Sequence, residues 1–299
     1  MSEETAISNR KGTRMKLGVS SYSFRKYILS EKCDYLKICD LAKEIGFDGI
    51  EFINLDEREF GITTDCLVTA KEIRAHCEKI GLEIIAYTVG ANLIADDIDA
   101  MVKYLFDCVD VTEALGAKVM RHDVCSALPK NHLYNYKDAI ANMVPHIRRV
   151  TEYAASKGIK TCTENHGKIF QAPERVEELI RAVDRENYGW LVDMGNFICV
   201  DADPVHSVTL AAPYAFHVHA KDFLLRSGEL IKPQGFSSTA GGNYFRGTIV
   251  GHGDIPVTTC VEILKASGYD GWLSLEFEGM EECIPALKSG LDYLKRVTE

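Results

Sequence analysis

Long apolar runs are missing from this 299-residue chain. None approaches the ~18 residues that a membrane-spanning helix needs, so no membrane partner is expected. The ten cysteines include no Cys-x-x-Cys pair, which removes a zinc ribbon or disulfide scaffold from consideration. Cys33, Cys39, Cys77, Cys108 and Cys260 fall inside helical patterns and read as small buried apolar residues of a protein in the reducing cytoplasm. Basic clusters are equally scarce. No run is longer than Arg148-Arg149, and 34 basic against 44 acidic residues give a net charge of −10. That sign argues against nucleic acid as the partner. Residues 1–14 are polar and lack the apolar core of a secretory signal, so they are expected to form a flexible tail before a single domain over 15–299.

A glycine-rich dinucleotide fingerprint is also absent. The first strand-like run continues Leu17-Gly-Val-Ser-Ser-Tyr-Ser-Phe24 rather than into Gly-x-Gly-x-x-Gly, which disfavours a doubly wound open sheet. What is present is a repeat. An amphipathic stretch ends in glycine and a short apolar run follows, as in Glu44-Ile-Gly46-Phe-Asp-Gly-Ile-Glu51 and Lys79-Ile-Gly81-Leu-Glu-Ile-Ile-Ala86. Gly46, Gly81 and Gly116 are spaced 35 residues apart, about the length of one βα unit, and each suits the left-handed position just past a helix end. The pattern predicts strands near 16–21, 48–53, 83–88, 118–123, 159–164, 189–193, 214–219 and 272–277. Helices are predicted near 33–45, 65–80, 96–115, 135–157, 173–184, 204–211, 256–267 and 281–297. Eightfold βα alternation is the pattern of an α/β (β/α)8 TIM barrel.

In such a barrel all strand exits meet at one mouth. Glu164, Asp193, His219 and Glu276 each sit near the end of a predicted strand. Three carboxylates and an imidazole brought together would repel or desolvate one another unless a divalent cation lay between them. Oxygen-rich ligation favours Mn2+ or Mg2+, and the imidazole keeps Zn2+, Co2+ and Fe2+ open. A cation holding a carbonyl and its neighbouring hydroxyl acidifies the C–H between them. Glu164 and Glu276, on different sides of the ion, are then suited to act as base and acid through an enediolate.

Further candidates surround these four. His122 and Asp123 end the fourth strand, and His122 is expected to reach a sugar hydroxyl. Lys221 either holds a hydroxyl or phosphate or pairs with a neighbouring carboxylate. His166 either contacts substrate or supports the site, and Glu51 either hydrogen-bonds substrate or forms a structural ion pair. His217 shares the inward parity of His219 one layer deeper and reads as a core histidine. Glu278 would support the ligands from outside, and Tyr22 and Phe24 would wall a sugar ring. The stretch from about Phe223 to Pro256, too long for a plain loop, is expected to cover the substrate. Its Arg246 could clamp a phosphate or carboxylate.

The segments Glu164-Asn-His-Gly167, Asp193-Met-Gly-Asn196, His219-Ala-Lys-Asp222, Gly251-His-Gly-Asp254 and Glu276-Phe-Glu-Gly279 resemble motifs of the xylose-isomerase-like barrel superfamily, in its sugar phosphate isomerase/epimerase branch. The resemblance runs from about Met15 to the C-terminus. It implies one metal ion, Mn2+ foremost, bound by Glu164, Asp193, His219 and Glu276, with the two glutamates as acid and base. It also implies a sugar or polyol-derived small molecule as substrate and a homo-oligomeric habit. Asn196 stands where many relatives place a substrate-contacting histidine, which puts the usual ketose in question. Isomerisation or epimerisation is the expected activity. Two other readings stand beside it: a metal-dependent lyase or dehydratase, including cleavage of an oxidised sugar from a carbon–carbon glycoside with a partner subunit, and a sugar-binding barrel without turnover.

Overall fold

Strands form where apolar residues occupy both parities of a run, because a parallel sheet covered by helices is buried on both faces. In the computed structural model, which describes residues 15–55, 65–130 and 133–299, eight of them are parallel: β1 (Lys16–Ser20), β2 (Gly49–Ile53), β3 (Glu83–Val89), β4 (Val119–His122), β5 (Lys160–Glu164), β6 (Tyr188–Asp193), β7 (Ala215–Ala220) and, after an excursion, β11 (Trp272–Leu275). They close into a barrel in the order β1-β11-β7-β6-β5-β4-β3-β2. The tail expected over 1–14 lies outside the described residues.

Helices α2 (Tyr35–Ile45), α3 (Cys66–Ile80), α4 (Ile98–Leu115), α5 (Tyr136–Ser156), α6 (Pro173–Val183), α7 (Pro204–Ala211), α8 (Val257–Ala266) and α9 (Cys283–Thr298) follow the strands in turn. The punctuating glycines end helices as anticipated: Gly46 and Gly81 cap α2 and α3 with φ of 106° and 67°. One helix was not expected. α1 (Arg25–Glu31) has seven residues, a single buried side chain (Ile28) and no side-chain cap, so it leaves no periodic trace in the sequence.

The long connection after β7 is not an irregular loop. It folds as a three-stranded antiparallel sheet, β8-β10-β9, from β8 (Asp222–Arg226), β9 (Ser237–Ser238) and β10 (Tyr244–Thr248). Its base is held by Asp222, whose buried carboxylate accepts the backbone N–H groups of Phe223 and Ile255 on Oδ1 and of Gly251 and Gly253 on Oδ2, at 2.9–3.1 Å. Gly253 is required there, because a Cβ would collide with that carboxylate. Its tip is held by Asp201, which accepts from Thr239 Oγ1 at 2.7 Å and Asn243 Nδ2 at 2.9 Å.

Register delivers the mouth. Asp193 lies opposite His219 in the β6–β7 pairing. Glu276, just past β11, donates its backbone N–H to the Ala220 carbonyl at 3.0 Å, which carries its side chain to the same rim.

Candidate metal centre at the barrel mouth

The four strand-exit residues converge. His219 Nδ1 lies 3.7 Å from Asp193 Oδ2, 3.7 Å from Glu276 Oε2 and 4.0 Å from Glu164 Oε1. One donor atom from each of the four falls within 4.8 Å of the others, and all four residues are buried. Asp193 Oδ1 is occupied by the N–H groups of Gly195 and Asn196 at 2.8 and 2.9 Å. Its Oδ2, like His219 Nδ1, is buried without a hydrogen-bond partner. An orphaned buried polar atom costs about 1–3 kcal/mol; Asp193 Oδ2 is met by the Lys221 ammonium at 3.2 Å, and with His219 Nδ1 unpartnered beside it the pair marks a place for a cation. Three carboxylates and one imidazole are a donor set that a hard divalent ion accepts. The residues present fit such an ion.

The field at that point is strongly negative. Burial opposes a charge on His219, yet Glu51 and Glu276 outweigh it and raise its imidazole well above the ordinary histidine range. Burial likewise opposes the Asp193 charge, and Lys221 and His219 still bring its carboxyl down to about 2.

Two buried cations answer part of this field. Lys221 Nζ contacts Glu276 Oε2 and lies 3.2 Å from Asp193 Oδ2 and 3.8 Å from Glu278 Oε2. Burial opposes its charge, but Asp193 and Glu276 prevail and hold the ammonium well above the usual lysine range. Arg121 Nη2 lies 2.5 Å from Glu164 Oε2 and 3.0 Å from Asp123 Oδ1. Asn196 Nδ2 donates to Glu164 Oε1 at 2.8 Å, so both oxygens of Glu164 are engaged.

Two adjoining cavities open above the cluster. One, of ≈ 250 Å³, is lined by Tyr22, Arg25, Asn54, Arg121 and Asp123 together with Glu164, His219, Lys221 and Glu276. The other, of ≈ 390 Å³, lies beneath the β8–β10 sheet and is lined by Ser237, Ser238, Thr239, Phe245, Gln171 and Asn196. His166, Lys221 and Glu278 border both. Burial raises the Glu278 carboxyl above its ordinary value, with Lys221 offsetting it only in part. His166 Nδ1 lies 3.1 Å from Asp123 Oδ1 with its side chain about half exposed.

Three expected residues lie elsewhere. His122 is fully buried, packs its ring 6.1 Å from that of Tyr188 and borders neither cavity; burial pushes its imidazole down to about 4. The cavity-facing positions of β4 and its exit are Arg121 and Asp123, so the strand has the opposite phase from the one expected. Glu51 also borders neither cavity. It sits beneath the cluster, Oε2 2.5 Å from His217 Nε2 and Oε1 2.8 Å from His219 Nε2. Arg246 pairs with Glu281 at 3.1 Å and borders neither cavity.

Comparison with known proteins agrees with the fold. Residues 39–297 match the family described as xylose isomerase-like TIM barrel. The chain belongs to that family. An inosose dehydratase of Clostridium perfringens is 24% identical over 83% of this chain and 82% of its own length. Another, from Geobacillus thermodenitrificans, is 26% identical, and the match spans 46% of either chain, about half of that relative's length. Among solved structures, a D-psicose 3-epimerase with D-tagatose from Clostridium cellulolyticum superposes with a TM-score of 0.71 at 18% identity, covering 95% of this chain and all of that one. The IOLI protein with a bound zinc atom gives a TM-score of 0.71 at 18% identity over 95% and 98%. At such identity the superpositions speak for the fold.

Within this family barrel, the short motifs divide between candidate ligands and scaffolding. In Glu164-Asn-His-Gly167, Asn165 is scaffold: its Nδ2 donates to the Asp193 carbonyl at 2.7 Å, and its Oδ1 accepts from Asp193 N and Trp190 Nε1, both at 3.0 Å. Asp222 plays the same part in His219-Ala-Lys-Asp222. Arg121 is the contact that sequence reasoning missed, and the only available signal was its position one residue before the weighed pair.

Proposed function

We propose that this barrel is a divalent-metal-dependent enzyme that moves a proton at the carbon beside a carbonyl in a sugar or polyol-derived substrate, epimerising or isomerising it. Glu164, Asp193, His219 and Glu276 would hold the ion, with Mn2+ the favoured occupant. When bound, the ion supplies Lewis-acid polarisation of the substrate carbonyl.

The supporting observation is the placement of two buried glutamates on either side of the Asp193–His219 pair, each tied to its own cation. Glu164 enters from β5 and Glu276 from beyond β11, with β6 and β7 between them. One carboxylate takes the proton from one face of the substrate carbon and the other returns a proton to the opposite face. Arg121 and Lys221 orient the two groups while the covered mouth excludes water. Tyr22, Asn54 and Asp123 border the space for the sugar hydroxyls.

A second reading is elimination, in which the same proton abstraction is followed by loss of water or of a glycosidic substituent. The ≈ 390 Å³ cavity under the β8–β10 sheet favours it, since it leaves room beside the reacting carbon for a departing group. The dehydratase relatives point the same way.

The test is to incubate Mn2+-loaded protein in D2O with a panel of ketoses, inososes and 3-keto-glycosides and to read the substrates by proton NMR. Deuterium entering beside the carbonyl supports the reading, and the product separates epimerisation from elimination. No exchange with any member of the panel would overturn it.

A further inference from the structure

Glu51 comes from β2, on the far side of the barrel from β7, and is fully buried. Each of its oxygens meets one imidazole: Oε2 lies 2.5 Å from His217 Nε2 and Oε1 2.8 Å from His219 Nε2. These three residues also bring their donor atoms within 4.8 Å of one another, which raises the question of a second ion. The separations answer it. An ion bonded at about 2.0–2.2 Å to oxygen and nitrogen holds the two atoms roughly 3 Å apart or more, whereas 2.5 Å is direct contact through a proton.

A carboxylate only accepts hydrogen bonds, so a proton belongs on His217 Nε2; His219 Nε2 faces Glu51 Oε1 at 2.8 Å without hydrogen-bond alignment, and the negative oxygen still favours the proton on that nitrogen. In a neutral ring, Nδ1 is then bare. His217 Nδ1 is buried with no partner. His219 Nδ1 faces Asp193, Glu276 and Glu164 at 3.7–4.0 Å. A lone pair aimed at three carboxylates is repelled unless a positive charge, a proton or a metal ion, sits among them.

We infer that Glu51, braced by His217, is a positioning residue for the metal centre: it fixes His219 in the Nε2–H tautomer and turns Nδ1 toward the ion. The inference rests on the bound cation of the proposed function. It gives Glu51 no contact with substrate. Carboxylate partners of ligand histidines generally change metal affinity 10–100-fold when altered.

The test uses Co2+ with the full chain, reading affinity by competition with a chelator, geometry by the visible absorption of the bound ion, stoichiometry by elemental analysis and fold by circular dichroism. Glu51→Gln keeps the volume but offers only one accepting oxygen to the two rings. It is expected to weaken Co2+ binding 10–100-fold and to alter the absorption band while the fold persists. His217→Gln should produce a smaller change in the same direction, and it carries the test if Glu51→Gln does not fold. Wild-type affinity and an unchanged spectrum in both variants would overturn the inference. So would two tightly bound Co2+ per chain, because Glu51 would then be a ligand. If the unaltered protein binds no Co2+, the proposed function itself fails and the positioning role falls with it.

Discussion

Arg121 and Glu164 meet at 2.5 Å across the β4–β5 edge of the mouth, both buried. The pair places a guanidinium against one of the two proposed acid–base groups. Replacing Arg121 with Gln leaves a buried carboxylate short of its counter-charge, a loss that in comparable pairs costs about 3–5 kcal/mol. Chemical denaturation of the metal-free protein should show a drop of that order. Metal loading should recover part of it, because a cation answers the same charge.

Asn196 donates to the other oxygen of Glu164 at 2.8 Å. Asn196→Asp replaces that donor with a second carboxylate against the first. Turnover is expected to fall by about 10²-fold, about 2.7 kcal/mol in the barrier, with the fold intact. Asn196→Ser should fall less. Steady-state kinetics on whichever panel member reacts would read the difference, and unaltered rates in both variants would remove Asn196 from the site.

Acid should weaken the metal-free protein through Asp193. Its folded carboxyl, at about 2, lies below the ordinary 3.8, so the charged form is favoured by folding. The stabilisation is present above about pH 4 and is lost as pH falls toward 2. Thermal melts from pH 6 down to pH 2 should decline through that window, and Asp193→Asn should flatten the decline.

Asp222 holds four backbone N–H groups at the root of the β8–β10 sheet. Asp222→Ala leaves those donors without their acceptor and should cost about 2–4 kcal/mol, in the range of a broken buried network. Hydrogen exchange is the sharper readout: amides of 222–255 should lose protection while those of β3 and β4 keep theirs.

Much of this arrangement was legible beforehand because it is local. Glu164 and Asp193 end apolar runs, His219 sits within one, and Glu276 follows another, so a barrel assignment alone sends all four to one mouth. Glycines such as Gly46 announce helix ends by the backbone they permit. Contacts across the barrel were not legible. A buried arginine contradicts the apolar alternation of Val119-Met-Arg-His122, so the phase of β4 came out inverted: His122 was favoured over Asp123 and Arg121 was not weighed. Glu51 and His217 are 166 residues apart in sequence, and no spacing rule joins them. The β8–β10 sheet was hidden because its glycines, serines and threonines read equally well as an open loop.

The central claim is a single divalent ion held by four residues. The most direct measurement is a crystal grown with Mn2+, with anomalous diffraction collected for manganese. The account predicts one strong peak bounded by Glu164, Asp193, His219 and Glu276, with Nδ1 as the histidine ligand. A metal-replete crystal with no peak among those side chains would contradict it.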